Sequence, residues 1–255
     1  MTASRPGAHA AATSVLGRAF SLLKRRAAAL AVASAIVLAC IAAPAQAATL
    51  TRIEIGSPNT TAFLLSGMLV GGDLLKLQAE VAKLPPTGRV AVILDSPGGL
   101  VAEGLKLGQF FHEAKIATFV FAGGIGCHSA CSLAFLGGRD AATGKRLRVM
   151  MSGAQLGFHQ FGAKFDPSKT YKQKDMSAVV EDAHRVMDAI VGYLTDIGED
   201  LDFLPLMLKA PHESMTFLGD DAALMRGIHV MERDTQRIID PSNIRKRLAS
   251  KGEAS

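Results

Sequence analysis

The sequence predicts an α/β protein built around a largely parallel sheet that is flanked by helices. Two continuous apolar runs, residues 89–95 (RVAVILD) and 116–122 (IATFVFA), have the composition of strands buried on both faces. Around them, apolar residues recur at helical spacing, for example in residues 100–114 (LVAEGLKLGQFFHEA). Because buried strands that alternate with helices favour a parallel sheet, we expect this architecture after residue 50.

The segment before the first buried strand predicts two further strands and a helix. Residues 51–56 alternate isoleucine with polar neighbours, as a half-buried strand does, and residues 61–69 form a second short strand-like run. Residues 71–84 have helical spacing, with Asp73 as the expected N-cap and two prolines directly after the helix.

The segment after the second buried strand predicts three helices and two strands. A short apolar helix follows the glycine-rich stretch after residue 122, and residues 156–161 (LGFHQF) are expected to form a strand that leads into a polar, exposed loop. The longest predicted helix covers residues 175–198. Residues 217–230 predict a short helix and a closing strand.

The first 47 residues have the pattern of a secretory signal peptide. Basic residues at 24–26 precede an apolar run at residues 27–43, and the A-Q-A of residues 45–47 is a typical cleavage site. A retained membrane anchor, for which this alanine-rich run is short, and lipid attachment at Cys40 are the alternatives. We therefore expect an exported, periplasmic protein, membrane-anchored if the segment is not cleaved and without a stable span after cleavage.

The chain after the leader is electrically balanced. All 23 acidic residues lie after residue 47, together with all but five of the 28 basic residues. The formal net charge of +5 therefore belongs to the leader, and the near-neutral remainder gives no support for a nucleic-acid partner. We assign residues 48–235 to one domain and residues 236–255 to a charged C-terminal tail.

A serine in the segment GGIGCHSACSLAFLGG has the setting of a catalytic nucleophile. Ser129 follows a buried strand and several glycines and precedes a helix, so its hydroxyl is expected to be exposed, with the Ala130 N–H able to face an oxyanion. A serine that only caps the helix is the alternative. Metal binding needs three or four ligands, and Cys127, His128 and Cys131 have no second cluster to complete a site, so we expect no metal.

Two further segments carry groups that such a serine needs. The turn SPGG places Gly98 and Gly99 between a buried strand and a helix, where free amides can bind developing negative charge; a plain tight turn is the alternative. His159, at the end of a predicted strand, is positioned to be a general base, with a structural histidine as the alternative. The other histidines lie in the leader, on predicted helix surfaces, beside the serine or near the C-terminal end.

The motifs LDSPGG, GxxSAxxxAFLGG and LGFHQF, in this order, resemble the proteolytic subunit of Clp protease. More closely, the chain resembles exported proteins of the Clp protease/crotonase superfamily, over the whole mature domain. The resemblance implies repeated ββα units and a Ser–His pair, with Ser129 as nucleophile and His159 as general base. It implies an oxyanion hole formed around Gly98, Gly99 and Ala130. It further implies a peptide or protein substrate, assembly into a homo-oligomer, and no cofactor.

The chain departs from this family at the position of the triad acid. In the family the acid lies just before a segment that corresponds here to FLGDDAALMRGIHV, and the matching position is Met215. A methionine cannot orient an imidazole, and neither Glu213 nor Asp202 is a clear substitute. Relative to this family we also expect an insertion, residues 138–153, between the helix that follows Ser129 and the predicted strand that ends near His159.

Cys127 and Cys131 flank the turn that contains Ser129, called the nucleophile turn below. In an exported protein a disulfide between them is chemically permitted and would hold Ser129 forward; two small buried thiols are the alternative. The leading interpretation is an exported serine hydrolase of the peptidase kind. The alternative is a catalytically degenerate binding or assembly module, which Met215 favours. An acyl-thioester enzyme is disfavoured because coenzyme A is cytosolic.

Overall fold

A computed structural model describes residues 47–57, 59–162, 166 and 168–244. These residues all belong to the second of the two units into which the chain divides, Ala45–Ser255. The predicted signal peptide, apart from its last residue, lies outside the described residues. The architecture is α/β, with a mainly parallel sheet flanked by helices, which confirms the predicted fold class.

The larger sheet has seven strands. In chain order they are β1 (Thr49–Ile53), β2 (Thr60–Ser66), β3 (Arg89–Asp95), β4 (Ala117–Val120), β6 (Arg148–Met151), β9 (His229–Met231) and β10 (Ile238–Ile239). Their spatial order is β1-β2-β3-β4-β6-β9-β10. The five central strands are parallel, and each edge strand is antiparallel to its neighbour. Central parallel strands are covered on both faces, which accounts for the continuous apolar runs in β3 and β4.

A second, smaller sheet and six helices complete the described fold. The small sheet contains β5 (Cys127–His128), β7 (Leu156–Phe158) and β8 (Thr216–Phe217), with β7 in the middle. The helices are α1 (Asp73–Val81), α2 (Val101–Glu113), α3 (Ala130–Leu136), α4 (Gln173–Asp196), α5 (Phe203–Lys209) and α6 (Asp220–Met225), and a 3-10 turn covers Pro241–Asn243. No helix in the described part of the chain is both long and apolar enough to cross a membrane.

Helices α2 and α3 pack with their backbones in close contact. A Cβ added at Gly104 of α2 would overlap the carbonyl group of Ala130, and one added at Gly137 would overlap the backbone of Gly108. All seven residues of α3 are buried. Because any side chain at these glycines would push the helices apart, the small residues fix where α3 begins and therefore where Ser129 lies.

Strand β6 corrects one interpretation of the sequence. It lies within residues 138–153, which we expected to be an insertion, yet it pairs with both β4 and β9 in the centre of the sheet. Its first residue, Arg148, is fully buried and donates a 2.7 Å hydrogen bond to Glu199. The arginine at the start of this short run makes the buried strand difficult to recognise from the sequence, because burial of its charge depends on a carboxylate 51 residues away.

Two smaller expectations also differ from the structure. Asp73 is the first residue of α1 and Gly72 is its N-cap; the buried Asp73 carboxylate instead accepts hydrogen bonds from the Val70 amide and from Lys76, both at 2.8 Å. Strand β10 and the 3-10 turn lie in the segment that we assigned to the charged tail. The sheet therefore extends beyond residue 235.

Candidate active site

Ser129 lies in a strained turn between β5 and α3. Its backbone has φ +56° and ψ −121°, a conformation that residues with a side chain rarely adopt, at a cost of about 1–3 kcal/mol. Its amide donates a 2.9 Å hydrogen bond to the Gly157 carbonyl in β7. Ser129 occupies the N-cap position of α3, but its hydroxyl makes no capping hydrogen bond. No group in the described part of the chain bonds to this hydroxyl, which argues against the alternative of a simple helix cap.

A second serine in the same motif holds the turn in place. Ser132 is fully buried, and its Oγ lies 2.9 Å from the Cys127 carbonyl and 2.7 Å from the Gly157 carbonyl, so its one proton can go to either. This contact ties the start of α3 to both β5 and β7. Because Ser132 is buried and hydrogen-bonded, it is not a competing nucleophile.

The two cysteines form a disulfide across the nucleophile turn. Cys127 in β5 and Cys131 in the first turn of α3 have Cα atoms 5.2 Å apart, inside the range that a disulfide allows. Both residues are fully buried. With their sulfur atoms bonded to each other, neither is a thiolate ligand, and the described part of the chain contains no group of three residues that could hold a metal ion.

The SPGG turn packs directly on the nucleophile turn. A Cβ added at Gly98 would lie 2.7 Å from the His128 oxygen and 2.8 Å from Ser129 Cβ, so only a glycine allows this approach. The backbone of Ser96 reinforces the contact: it accepts from the His128 amide at 3.0 Å and donates to the Gly126 carbonyl at 2.7 Å. The turn therefore has a packing function beyond its change of direction.

The structure separates the three amides that we expected around an oxyanion. The Gly98 amide donates to Ser96 Oγ at 3.1 Å, so it is engaged within its own turn and is not a free donor, contrary to our expectation. The amides of Gly99 and Ala130 donate to no atom of the described residues. Unpaired amides are uncommon in folded proteins, and the Ala130 amide, which directly follows Ser129 in the chain, can stabilise a negative charge that develops there.

His159 follows β7 and shares a small, mostly apolar pocket with Ser129. The pocket has about 30 Å³ of free volume, room for one or two water molecules. Its lining is Val101, Ser129, Ala130, Leu133, Phe158, His159, Phe161, Met187, Ile190, Met207 and Leu208. The structure thus brings the predicted nucleophile and the predicted base to one pocket.

The surroundings of His159 favour its neutral form. Burial lowers the pKa of His159 below its usual value, and the nearby His212 lowers this pKa further, while a backbone hydrogen bond and Glu213 raise it. The rings of His159 and His212 have centroids 5.1 Å apart. A general base must be unprotonated to accept a proton, so a lowered pKa keeps the imidazole ready at neutral pH.

No carboxylate in the described residues bonds to His159. Its Nδ1 lies 2.6 Å from the main-chain oxygen of Gln160. Met215 packs beside Gly157 in β7, with a gap so narrow that a Cβ on Gly157 would lie 2.8 Å from it. Glu213 acts on His159 only through its charge. The hydrogen-bond partner of His159 Nδ1 is therefore a peptide carbonyl, which sequence motifs do not reveal.

His128 lies beside Ser129 but away from the pocket. Its ring contacts Phe217 edge-on, with centroids 5.4 Å apart, and its Nε2 is buried without a hydrogen-bond partner among the described residues. Burial lowers the pKa of His128, and the nearby Asp95 opposes this shift. The structure therefore leaves His159 as the histidine that faces the pocket.

No protein-family model matches the chain, and no curated protein matches it.

Proposed function

We propose that this chain is a serine hydrolase that acts by acyl transfer to Ser129. The observation that carries the proposal is the state of this residue: a strained backbone, a hydroxyl that bonds to no other group of the described residues, and a pocket shared with His159. Strained backbone that the surrounding structure over-determines is concentrated at functional sites. The amides of Gly99 and Ala130, which have no acceptor among the described residues, add the group that an acyl-transfer site needs most.

The proposed mechanism uses each of these groups once per half-reaction. His159 Nε2 takes the proton of Ser129 Oγ as the oxygen attacks the carbonyl carbon of the substrate. The negative charge that develops on the carbonyl oxygen is held by the Gly99 and Ala130 amides. His159 then gives the proton to the leaving group. In the second half-reaction, the same imidazole takes a proton from a water that attacks the acyl carbon and gives it to Ser129 Oγ as the acyl group leaves.

The missing acid sets an expectation for the rate. In a well-studied serine protease, replacing the aspartate that orients the histidine lowers kcat about 10⁴-fold. Here a peptide carbonyl orients His159 without adding a negative charge, so it stabilises the imidazolium less than a carboxylate would. We expect a slow enzyme whose acyl-enzyme forms measurably with reactive reagents.

The order of the elements supports membership of the Clp protease/crotonase superfamily. A strand of the large sheet, a strand of the small sheet and a helix follow one another twice, as β4, β5 and α3 and then as β6, β7 and α4. This order corresponds to the ββα units that the resemblance implies. As parts of the same proposal, the substrate is a peptide or protein, the protein is exported after cleavage near residue 47, and the chain assembles with copies of itself.

Labelling with a fluorophosphonate probe tests the proposal. The probe forms a covalent adduct with activated serines, and peptide mass mapping locates it. We expect an adduct on Ser129 in the wild-type chain, none in Ser129→Ala, and at least about 100-fold slower labelling in His159→Ala, since general-base catalysis contributes about 10²–10⁴. His184→Ala is the matched histidine control, because His184 is exposed on α4.

A non-catalytic binding or assembly module is the second candidate. The observation that favours it is the absence, among the described residues, of a carboxylate bonded to His159. No adduct on Ser129 at any pH from mildly acidic to mildly alkaline would support this second candidate and refute the first. Labelling that is unchanged in His159→Ala would likewise refute the assignment of His159 as the base.

A further inference from the structure

The geometry points to Gln160 as the residue that positions His159, in the place that a triad acid normally takes. This inference rests on the proposed function, because it concerns the base of that same reaction. His159 Nδ1 lies 2.6 Å from the Gln160 main-chain oxygen, well within hydrogen-bond distance. Gln160 acts through His159 and not on a substrate, so it is a positioning residue.

The contact selects one form of the neutral imidazole. A carbonyl oxygen can only accept a hydrogen bond, so Nδ1 must carry the proton when this bond is made. The other nitrogen, Nε2, is then unprotonated and is the atom that can accept a proton. In catalytic triads the aspartate selects this same tautomer, and activity falls when the aspartate is replaced because the selection is lost.

Two hydrogen bonds hold Gln160 against the C-terminal end of α5. Its side-chain amide donates to the Leu208 carbonyl at 2.7 Å, and its main-chain amide donates to the Ala210 carbonyl at 2.9 Å. Leu208 lies in the last turn of α5 and Ala210 directly follows this helix. Carbonyls at a helix C-terminus have no intrahelical partner, so they are available acceptors. These two hydrogen bonds anchor Gln160, whose carbonyl faces His159, to the C-terminal end of α5.

A second histidine shares the same acceptor. His212 Nδ1 lies 3.3 Å from the Gln160 oxygen, a longer contact than that of His159. A carbonyl oxygen has two lone pairs, so it can accept from both rings. Two imidazoles that converge on one fixed carbonyl make the position of that carbonyl decisive for both.

The tautomer of His159 can be measured without any substrate. Two-bond ¹H–¹⁵N correlation spectra of the ¹⁵N-histidine-labelled chain distinguish the two neutral forms by the chemical shifts of the ring nitrogens. We expect the Nδ1–H form for His159 at neutral pH. Gln160→Met keeps the length of the side chain but removes the donor to Leu208, and we expect the resonances of the Nε2–H form to gain intensity in this variant.

The kinetics of fluorophosphonate labelling give the second readout. We expect Gln160→Met to lower the maximal labelling rate about threefold to tenfold, the effect of one lost hydrogen bond, and to leave the probe concentration at half-maximal rate unchanged. Gln109→Met is the matched control, because Gln109 is on α2 and, among the described residues, its side chain bonds only to Glu113. We expect this control to label at the wild-type rate.

The two readouts separate this inference from the proposed function. A shift in tautomer together with slower labelling supports both. A shift in tautomer in a chain that never labels supports the positioning role of Gln160 and refutes the hydrolase. An Nε2–H form in the wild-type chain, or a Gln160→Met variant with wild-type tautomer and wild-type labelling rate, overturns the inference. Equal melting temperatures of Gln160→Met and Gln109→Met exclude general unfolding as the cause of slower labelling.

Discussion

Alanine at position 98 is the perturbation that most sharply tests whether the SPGG turn is seated on the nucleophile turn. The added Cβ would lie 2.7 Å from the His128 oxygen and 2.8 Å from Ser129 Cβ, distances that real Cβ atoms essentially never show. The atoms nearest to this Cβ all belong to the nucleophile turn, residues 128–130. The overlap must therefore move either the SPGG turn or Ser129 itself.

The energetic cost has two parts that a control variant separates. Gly98 has φ +99°, and a side chain in this left-handed region costs about 1–2 kcal/mol. Overlap in a packed interior adds about 1–3 kcal/mol. Gly72 also has φ +99° but has no atom within 4 Å of an added Cβ. Gly72→Ala thus carries the backbone strain without the overlap.

Chemical denaturation and fluorophosphonate labelling of the two variants measure these parts. We expect the free energy of unfolding to fall about 1–3 kcal/mol further in Gly98→Ala than in Gly72→Ala. We also expect labelling of Ser129 to slow about 100-fold in Gly98→Ala alone, since a displacement of about 1 Å can cost this much. Equal stabilities and equal labelling rates for the two variants would refute the packing argument.

Three further predictions concern charge, covalent structure and burial. The labelling rate should rise with pH, and the midpoint of this rise, set by His159, should lie below the usual pKa of about 6.5. Glu213→Gln should move this midpoint lower, because a negative charge that favours the imidazolium is lost. Labelling rates measured from pH 4 to 8 check both expectations. Replacing both Cys127 and Cys131 by alanine should lower the free energy of unfolding by about 2 kcal/mol for so short a loop and slow labelling of Ser129, whereas unchanged values would show that the disulfide does not hold the turn. Glu199→Gln should lower the free energy of unfolding by about 3–5 kcal/mol, because it leaves a fully buried arginine uncompensated, and a loss below 1 kcal/mol in denaturant titrations would contradict this.

The strands that the sequence predicts best are those whose environment repeats a simple pattern. Residues 89–95 form β3 over their full length, because a central parallel strand is covered on both faces by apolar groups. The apolar run at residues 116–122 contains β4, and the helical spacing at residues 100–114 contains α2. In each of these segments the local pattern and the tertiary environment agree.

The elements that the sequence did not predict depend on partners far along the chain. Strand β6 begins with an arginine whose burial requires Glu199, and no local pattern announces such a pair. Strand β5 has two residues and exists because it pairs with β7 and bridges to Ser96. Helix α5 has seven residues with a proline inside, too short for a periodicity argument.

The site shows the same division between local and distant information. Ser129 and His159 could be proposed from their positions after predicted strands, and the structure places both in one pocket. The separate roles of the amides of Gly98 and Gly99 depend on where the Ser96 hydroxyl points, which only coordinates reveal. The carbonyl that faces His159 belongs to the main chain of Gln160, so residue types alone carry no signal for it.

The most direct test of the central claim is a crystal structure of the chain after treatment with the fluorophosphonate probe. We predict phosphorus bonded to Ser129 Oγ, with one phosphonyl oxygen about 2.7–3.1 Å from the amide nitrogens of both Gly99 and Ala130. We also predict His159 Nε2 facing the adduct. An unmodified Ser129, or an adduct whose oxygen contacts neither amide, would contradict the account of this site.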